Sequence, residues 1–316
     1  MTKPVIDAVV IGRNEGNLLL DCLASLQNQV RQLVYVDSGS SDGSVKAARN
    51  MGAKVVELDM TLPFTAARAR NAGVDELGND CQLVQFVDGD CTLDPSWITK
   101  ASTFLKDHPD VAVVCGRRRE RFPEVSIYNH LCDTEWNTPL GEAKACGGDA
   151  LMRLAPLQNV GGYREDLIAG EEPELCIRLR ATGWRVWRLG AEMTLHDAKM
   201  LRFSQWWTRT RRAGYAFAEG AALHGVPPER HWVAETRRAL TWAIGIPMAI
   251  ALPGVFTGWA MLALLIYPAQ ILRLSRRMGW SGALFNVLGK LPEALGIADY
   301  YWHRTLGRRR RLIEYK

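Results

Sequence analysis

The first 116 residues alternate short apolar runs with amphipathic stretches, which predicts strands and helices in turn. Five runs have the length and composition of buried strands, namely Val5–Ile11, Gln32–Val36, Lys54–Leu58, Leu83–Val87 and Val111–Gly116. Four stretches between them have helical spacing, namely Asn17–Leu26, Ser44–Met51, Thr65–Leu77 and Pro95–Lys106. Continuous apolar strands joined by helices predict an α/β domain with a Rossmann-like, mostly parallel sheet and helices on both faces.

Polar residues stand where two of the predicted strands end. Asp88-Gly89-Asp90 places two carboxylates on a sharp turn, which suits a hard divalent cation, Mg²⁺ or Mn²⁺, that neutralises a diphosphate. The segment Asp37–Gly43, DSGSSDG, joins a carboxylate to small residues that let the backbone approach a nucleotide. Ordinary turn chemistry explains each segment alone. Because ligands of parallel sheets bind at the carboxyl ends of strands, the two segments together favour a binding site.

Six short motifs follow one another along residues 4 to 200. They are VVIGRNEG, VYVDSGSSDGS, ARARNAG, FVDGD, GGDALMR and AGEEPELCIRLRATGW. This series resembles the inverting family 2 glycosyltransferases with the GT-A fold, of the membrane-associated type that assembles bacterial polysaccharides and glycolipids. The resemblance implies transfer of a sugar from a nucleotide-diphosphate sugar to an acceptor, with inversion and without a covalent intermediate.

The same resemblance implies roles for individual residues. The nucleotide would be bound by Glu15, Asp37, Arg70, Asn71 and Asp88. Mg²⁺ or Mn²⁺ would be bound by Asp88, Asp90 and His196. The donor sugar and the acceptor would be bound by Gly147, Gly148, Asp149, Arg209 and Arg212. Arg209 and Arg212 follow a pair of tryptophans, and their side chains could bind either a diphosphate or lipid headgroups.

The motif that supplies the catalytic base departs from the family pattern. Gly170-Glu171-Glu172-Pro173 stands where many relatives have a Glu-Asp pair, so Glu172 takes the position of the base. The extra methylene group of glutamate moves its carboxylate, which keeps Glu171 as a second candidate. Acidic residues that only cap a helix are the alternative. Ser38 replaces an aspartate of many relatives, so uracil and guanine both stay open for the donor base.

Charge divides the chain into two regions. Residues 199–316 carry a formal charge of +12 and residues 1–198 carry −7, within a total of +5. From Ala239 to Leu272 there are 34 consecutive uncharged residues between flanking arginines, a length of about 51 Å as one helix against a hydrocarbon core of about 30 Å. Pro253-Gly254 divides the stretch, and basic flanks on both sides favour a helical hairpin that enters the bilayer from the cytosol. A single span over Val255–Leu272 and a buried hairpin of a soluble protein are the alternatives.

These regions predict a GT-A catalytic domain over residues 1–225 and a basic, helical membrane-attachment region over residues 226–316, with the apolar hairpin at residues 239–272. The run Arg308–Arg311 suits anionic lipid headgroups. The N-terminus has no signal-peptide pattern, so we expect the catalytic domain to face the cytosol at the cytoplasmic membrane. Nucleic acid is excluded as a partner, because it would not require the apolar stretch. Seven scattered cysteines without a CxxC pair predict buried thiols.

The predicted activity is that of a metal-dependent hexosyltransferase that uses a nucleotide-sugar donor and a lipid-linked acceptor in glycan or exopolysaccharide biosynthesis. The alternative is a nucleotidyltransferase or pyrophosphorylase acting on a sugar phosphate. Those enzymes carry a Gly-rich, basic loop after the first strand, and Arg13-Asn14-Glu15-Gly16 matches it poorly. A non-catalytic membrane scaffold is a third possibility, which the presence of Asp88, Asp90 and Glu172 disfavours.

Overall fold

The computed structural model describes residues 4–307, which fall into two compact units. The described part of the first unit comprises residues 4–125 and 132–199, and that of the second comprises residues 126–131 and 200–307. The domain limits expected from the sequence, 1–225 and 226–316, stay a prediction. The Arg308–Arg311 run lies outside the described residues.

The first unit is built on one sheet, which has nine strands within the described residues. They are β1 (Ile6–Gly12), β2 (Leu33–Asp37), β3 (Lys54–Glu57), β4 (Leu83–Asp88), β5 (Cys91–Leu93), β6 (Val111–Glu120), β7 (Gly141–Ala143), β8 (Ala150–Arg153) and β9 (Arg185–His196). The helices up to residue 181 are α1 (Asn17–Leu26), α2 (Ser44–Asn50), α3 (Ala66–Val74), α4 (Trp97–Asp107), α5 (Ile127–Trp136), α6 (Leu154–Asn159) and α7 (Glu171–Ala181). The elements predicted within residues 5–116 are all present.

The strand order is β3-β2-β1-β4-β8-β6-β9-β5, with β7 beside β9. The strands β3, β2, β1 and β4 pair in parallel, as do β6 and β9. The predicted α/β class is therefore confirmed, while β8 lies antiparallel to both β4 and β6. Since Ala150 pairs with Phe86, the antiparallel β8 brings the residues that precede it to the carboxyl end of β4.

Burial explains how the site-bearing helix α3 lies on the sheet. A Cβ atom on Gly73 would come within 2.3 Å of Val9 Cγ1, so glycine lets α3 approach β1 closely. The hydroxyl of Thr65 caps the helix by accepting a hydrogen bond from the N–H of Arg68 at 3.1 Å. All seven cysteines are buried and none of them forms a disulfide, which confirms the prediction of buried thiols.

The second unit is helical. Its elements from residue 203 onward are α8 (Phe203–His224), α9 (Val233–Leu240), a π-helical turn (Thr241–Gly245), α10 (Ile246–Gly254), a 3₁₀ helix (Gly258–Leu265), α11 (Ile266–Leu288) and α12 (Lys290–Thr305). The helices α8 and α12 touch through their backbones, because a Cβ atom on Gly296 would lie 1.9 Å from the carbonyl oxygen of Arg211. The same arginine donates hydrogen bonds to both carboxylate oxygens of Asp299, at 2.6 and 2.9 Å.

The uncharged stretch forms a helical hairpin that reverses at residues 255–257. The Tyr267 hydroxyl on one arm donates a hydrogen bond of 2.7 Å to the carbonyl oxygen of Trp242 on the other arm. The apolar tip is open to solvent, with Phe256 88% exposed and Trp259 82% exposed. By length and composition, the described residues include one helical stretch able to cross a membrane, Gly258–Thr305, and its apolar window is not buried inside the protein. Exposure of this kind does not fit the buried hairpin of a soluble protein.

Candidate functional site

The Asp88-Gly89-Asp90 turn joins β4 to β5 and packs against the loop that follows β1. A Cβ atom on Gly89 would lie 3.1 Å from the carbonyl oxygen of Ile11 and 3.5 Å from Glu15 Cγ. Glycine therefore allows the turn to sit directly on this loop. The close approach places the Glu15 side chain beside Gly89, the residue between the two aspartates, as expected if both segments contribute to one ligand site.

Asp88 is held by two arginines. Arg70 Nη2 donates to Asp88 Oδ1 at 3.0 Å, and both terminal nitrogens of Arg118 lie 3.3 Å from Asp88 Oδ2. Asp149 Oδ1 accepts the backbone N–H of Asp88 at 2.9 Å, and Asp149 Oδ2 accepts the hydroxyl of Thr194 at 2.7 Å. Asp149 therefore fixes the end of β4, while the guanidinium groups fix the orientation of the Asp88 carboxylate.

Asp90 and His196 are brought together by strand pairing. Cys91 pairs with His196 across β5 and β9, which leaves Asp90 Oδ2 3.2 Å from His196 Nε2. His196 Nδ1 lies 3.6 Å from Glu120 Oε2, and the Trp136 ring packs edge-on against the imidazole at 4.9 Å. Burial, with the positive charge of Arg118, lowers the pKa of His196, so its imidazole is neutral at physiological pH.

The residues present fit a divalent metal. A carboxylate and a neutral imidazole with their ligand atoms side by side suit Mn²⁺, and carboxylates suit Mg²⁺. The carboxylate of Glu120 near the second ring nitrogen resembles the outer partners that orient metal-bound histidines. Asp90 and His196 would therefore hold the ion, and Asp88 stands one turn residue away from them.

Two glutamates begin helix α7 next to the arginine of α3. Arg70 Nη1 donates to Glu171 Oε1 at 2.9 Å and lies 3.1 Å from Glu172 Oε1. Burial, followed by the negative charge of Glu171, raises the pKa of Glu172 to about 7, although Arg70 acts in the opposite direction. The Glu172 side chain is 15% exposed and that of Glu171 only 6%. Glu172 is thus the more accessible of the two and titrates near neutral pH, which is what a general base requires.

Arg70 and Asn71, which were also expected to bind the nucleotide, have different partners in the structure. Arg70 is 2% exposed and links Asp88 to the glutamate pair. Asn71 turns its amide to the backbone of Tyr163, with two hydrogen bonds of 2.8 Å, and donates to Glu165 Oε1 at 2.9 Å. Asn71 therefore holds the segment that leads to α7 instead of facing the cluster around Asp88.

The loop after β2 is built around Asp37. Its Oδ1 accepts the Tyr35 hydroxyl at 2.8 Å, and its Oδ2 accepts the N–H groups of Gly39 and Ser40 at 2.9 and 2.8 Å. The Ser40 hydroxyl in turn accepts the N–H of Asn14 at 2.8 Å. The two loops that carry the expected nucleotide residues are thus tied to each other at the carboxyl ends of β1 and β2.

The expected sugar and acceptor residues separate into two groups. Gly147, Gly148 and Asp149 precede β8 in the first unit, where Gly148 and Asp149 lie against Asp88. Arg209 and Arg212 lie on α8 in the second unit, where both are partly exposed. The first group joins the carboxylate cluster, and a role for the second group stays a prediction.

Sequence reasoning missed Arg118, Glu120 and Trp136. The first two belong to the RRRE extension that carries β6 beyond Gly116 to Glu120. Charged residues directly after an apolar run are the same signal that identified Asp37 and Asp88, so this pattern was sufficient to find them. Trp136 gives no such signal, because it reaches His196 only through the packing of the end of α5.

The chain is similar to known proteins along different parts of its length. Residues 7–152 match the model of the family described as Glycosyl transferase family 2. A TPR repeat-containing protein of Synechococcus elongatus is 32% identical over 208 residues, which are 55% of this chain and 51% of that protein. Succinoglycan biosynthesis protein ExoA of Rhizobium meliloti is 26% identical over 168 residues, 49% of this chain and 51% of that protein. The chain spans about half the length of these curated relatives.

Among solved structures, the mannosyltransferase PcManGT from Pyrobaculum calidifontis, in complex with GDP-Man and Mn²⁺, is similar with a TM-score of 0.69. The identity is 19%, and the match covers 96% of this chain and 89% of that chain. At this identity the likeness shows the fold. The predicted class, a GT-A α/β domain followed by a helical C-terminal region, is confirmed.

Proposed function

We propose that this protein is an inverting, metal-dependent hexosyltransferase that moves a sugar from a nucleotide-diphosphate donor to a lipid-linked acceptor at the cytosolic face of the membrane. The observation that carries the proposal is the cluster in which Arg70 joins Asp88 to Glu171 and Glu172, with Asp90 and His196 beside it. A metal-binding pair and a carboxylate of raised pKa at the carboxyl ends of strands are the parts that direct displacement at a sugar carbon requires.

Glu172 is the proposed base. Its carboxylate takes the proton of the acceptor hydroxyl while that oxygen bonds to the anomeric carbon of the donor. The bond between this carbon and the diphosphate oxygen breaks, and the nucleoside diphosphate leaves with the electron pair. Asp88, Asp90 and His196 would hold a divalent ion, which would neutralise charge on the diphosphate. Arg70 keeps the two glutamates and Asp88 in a fixed relation throughout.

A panel of UDP- and GDP-linked hexoses tests the activity and identifies the donor. PcManGT is described with GDP-Man and Mn²⁺, which makes a guanine nucleotide the first to test. We expect one donor to be hydrolysed slowly to nucleoside diphosphate and free sugar, with a requirement for Mn²⁺ or Mg²⁺. Formation of pyrophosphate from a nucleoside triphosphate and a sugar phosphate would instead identify a nucleotidyltransferase.

The exposed hairpin supports the membrane location and hence the lipid-linked acceptor. Its tip presents Val255, Phe256 and Trp259 to solvent, each more than 80% exposed. Large exposed apolar patches mark protein or membrane contacts, and basic residues flank this one. ExoA, a biosynthesis protein of succinoglycan by its name, supports a role in exopolysaccharide assembly.

The full chain is therefore expected to stay in the membrane fraction through 1 M salt and alkaline washes, because burial in hydrocarbon is insensitive to ionic screening. The double substitution Phe256→Asp and Trp259→Asp should release most of the protein into the soluble fraction, as measured by immunoblot of the washed fractions. Leu62→Asp, at a 55% exposed apolar residue of the first unit, is the control and should change nothing. Recovery of the unaltered chain without detergent would contradict membrane attachment.

Gly148→Ala is expected to lower the transfer rate by about tenfold to a hundredfold, since displacing reacting groups by about 1 Å has this cost. Its Cβ atom would lie 2.6 Å from Arg70 Nη2 and 2.9 Å from Asp88 Oδ2, so the pair has to move. Gly258→Ala, in the second unit, is the control, because no described atom lies within 4 Å of its Cβ atom. Initial rates at saturating donor compare the two variants, and equal rates would show that the contact of Gly148 is unimportant.

A further inference from the structure

A pocket of about 340 Å³ opens beside Asp149 in the first unit. Its wall combines apolar groups with two arginines, including Cys115, Trp136, Cys146, Met193, Arg118 and Arg188. Asp149 and Gly147, which precede β8, also line it. The pocket therefore adjoins the aspartate cluster and has room for a small polar group with an adjoining ring.

Arg188 is a buried cation without a counter-charge. It is 5% exposed, and its terminal nitrogens donate to the carbonyl oxygen of Trp136, at 2.8 Å, and to the hydroxyl of Thr138. Both partners are neutral, and Nε has no hydrogen-bond partner among the described residues. Within residues 4–307, no carboxylate forms an ion pair with it. Burial, together with the positive charge of Arg117, lowers the pKa of this guanidinium, although it stays charged at physiological pH.

The acids of the pocket do not compensate Arg188. Asp149 uses its oxygens for the N–H of Asp88 and the hydroxyl of Thr194, and it lies 3.5 Å from Arg118. Glu135 is exposed on the lining. The other arginine of the wall, Arg118, is paired with Asp88. Burying a charge without a counter-charge costs free energy. An anionic ligand bound in the pocket would supply the counter-charge of Arg188 and offset this cost.

We propose that the pocket binds an anionic group of the acceptor through Arg188. The inference rests on the proposed sugar transfer and adds the chemical class of the acceptor, which is an oxyanion attached to a ring or chain that packs on Trp136. Two sources supply this chemistry, the phosphate of a lipid-linked sugar and the carboxylate of an acidic sugar. A planar guanidinium recognises either oxyanion by paired hydrogen bonds.

Calorimetry of the full chain in detergent, without metal or nucleotide, tests the site with methyl phosphate and with glucuronate as separate probes. We expect one probe to bind and Arg188→Gln to weaken it by at least about tenfold, as expected for loss of a charge-assisted hydrogen bond. Stronger binding of methyl phosphate would assign the phosphate, and stronger binding of glucuronate the carboxylate. Arg153→Gln is the matched control, because in the described part of the chain Arg153 donates only to the carbonyl oxygens of Leu105, His108 and Val111.

Further measurements keep the inference separate from folding and from the proposed function. Arg188→Lys retains the positive charge and replaces Arg188→Gln if a thermal melt shows that the glutamine variant is unfolded. We expect its affinity for the probe to lie between those of the unaltered chain and a variant without the charge. Arg188→Gln should lower acceptor-dependent transfer by a larger factor than donor hydrolysis. Absent hydrolysis in the unaltered chain would overturn the function and not the anion site. Equal probe affinity for the unaltered chain and folded Arg188→Gln would overturn the inference. Displacement of the probe by GDP or UDP with Mn²⁺ would also overturn it, because the anion would then be the donor's diphosphate.

Discussion

Glu172→Gln is expected to reduce the rate of sugar transfer by about 10²- to 10⁴-fold, the contribution that a general base usually makes. Glutamine keeps the shape of the side chain and removes its ability to take the proton of the acceptor hydroxyl. Donor binding should persist, because the base acts only when the acceptor is deprotonated. Transfer rates and the dissociation constant of the donor, measured on the same preparation, separate the two effects.

Glu171→Gln is the matched comparison, since both glutamates lie against Arg70 Nη1. Glu171 is the more deeply buried and accepts a hydrogen bond of 2.9 Å from this nitrogen. Its substitution should weaken the positioning of Arg70 and cost less activity than substitution of Glu172. An active Glu172→Gln enzyme together with an inactive Glu171→Gln enzyme would show that the base is the first glutamate of the pair.

The raised pKa of Glu172 also sets the pH dependence. A base with a pKa of about 7 is protonated at lower pH, so kcat/KM of the unaltered enzyme should rise about tenfold per unit up to pH 7 and then level off. The contribution of Glu172 to the stability of the fold changes with pH in the opposite direction. A carboxyl group whose pKa is higher in the folded state contributes stability that is present below its unfolded value, near 4.5, and is lost as the pH rises through about 7.

The sequence predicted those parts of the site that local pattern determines. Asp37 and Asp88 stand at the ends of apolar runs, and parallel strands bring such ends to one edge of the sheet. The antiparallel β8 was outside this reasoning, because four residues are too few for a pairing direction to be read. Because β8 runs antiparallel to β4, Asp149 lies at the end of β4 and accepts the N–H of Asp88.

The two arginines of the pocket depended on contacts distant in sequence. Arg118 and Arg188 lie on β6 and β9, whose pairing contains shifts in register between Cys115 and Arg118. Such shifts change the face of the sheet on which a side chain lies. The alternation of residues along a single strand therefore does not predict the faces of these two arginines. Arg70 was expected at the nucleotide from its motif, and only the contact of α3 with the start of α7 shows its place between Asp88 and the glutamates.

Asp90→Asn is expected to lower metal-dependent transfer by at least about 10²-fold while the protein stays folded, because the ion would lose a charged ligand. Asp90 is 5% exposed and lies 3.2 Å from His196 Nε2, so the substitution changes charge at a site where water compensates poorly. Binding of Mn²⁺, followed by electron paramagnetic resonance in the absence of donor, should weaken in parallel with activity. Thermal melting monitors the fold.

Cys91→Ala is the control for Asp90→Asn, and it separates a metal ligand from a neighbour. The thiol of Cys91 lies within 4.8 Å of the ligand atoms of Asp90 and His196, but burial raises its pKa, and a protonated thiol is a poor ligand for Mn²⁺, which prefers oxygen. Cys91→Ala should therefore keep the affinity for Mn²⁺ within about twofold, whereas Asp90→Asn loses most of it. Full activity of Asp90→Asn with an unchanged metal requirement would move the ion away from this turn, and the contact between Asp90 and His196 would then be a structural hydrogen bond of the strand pair.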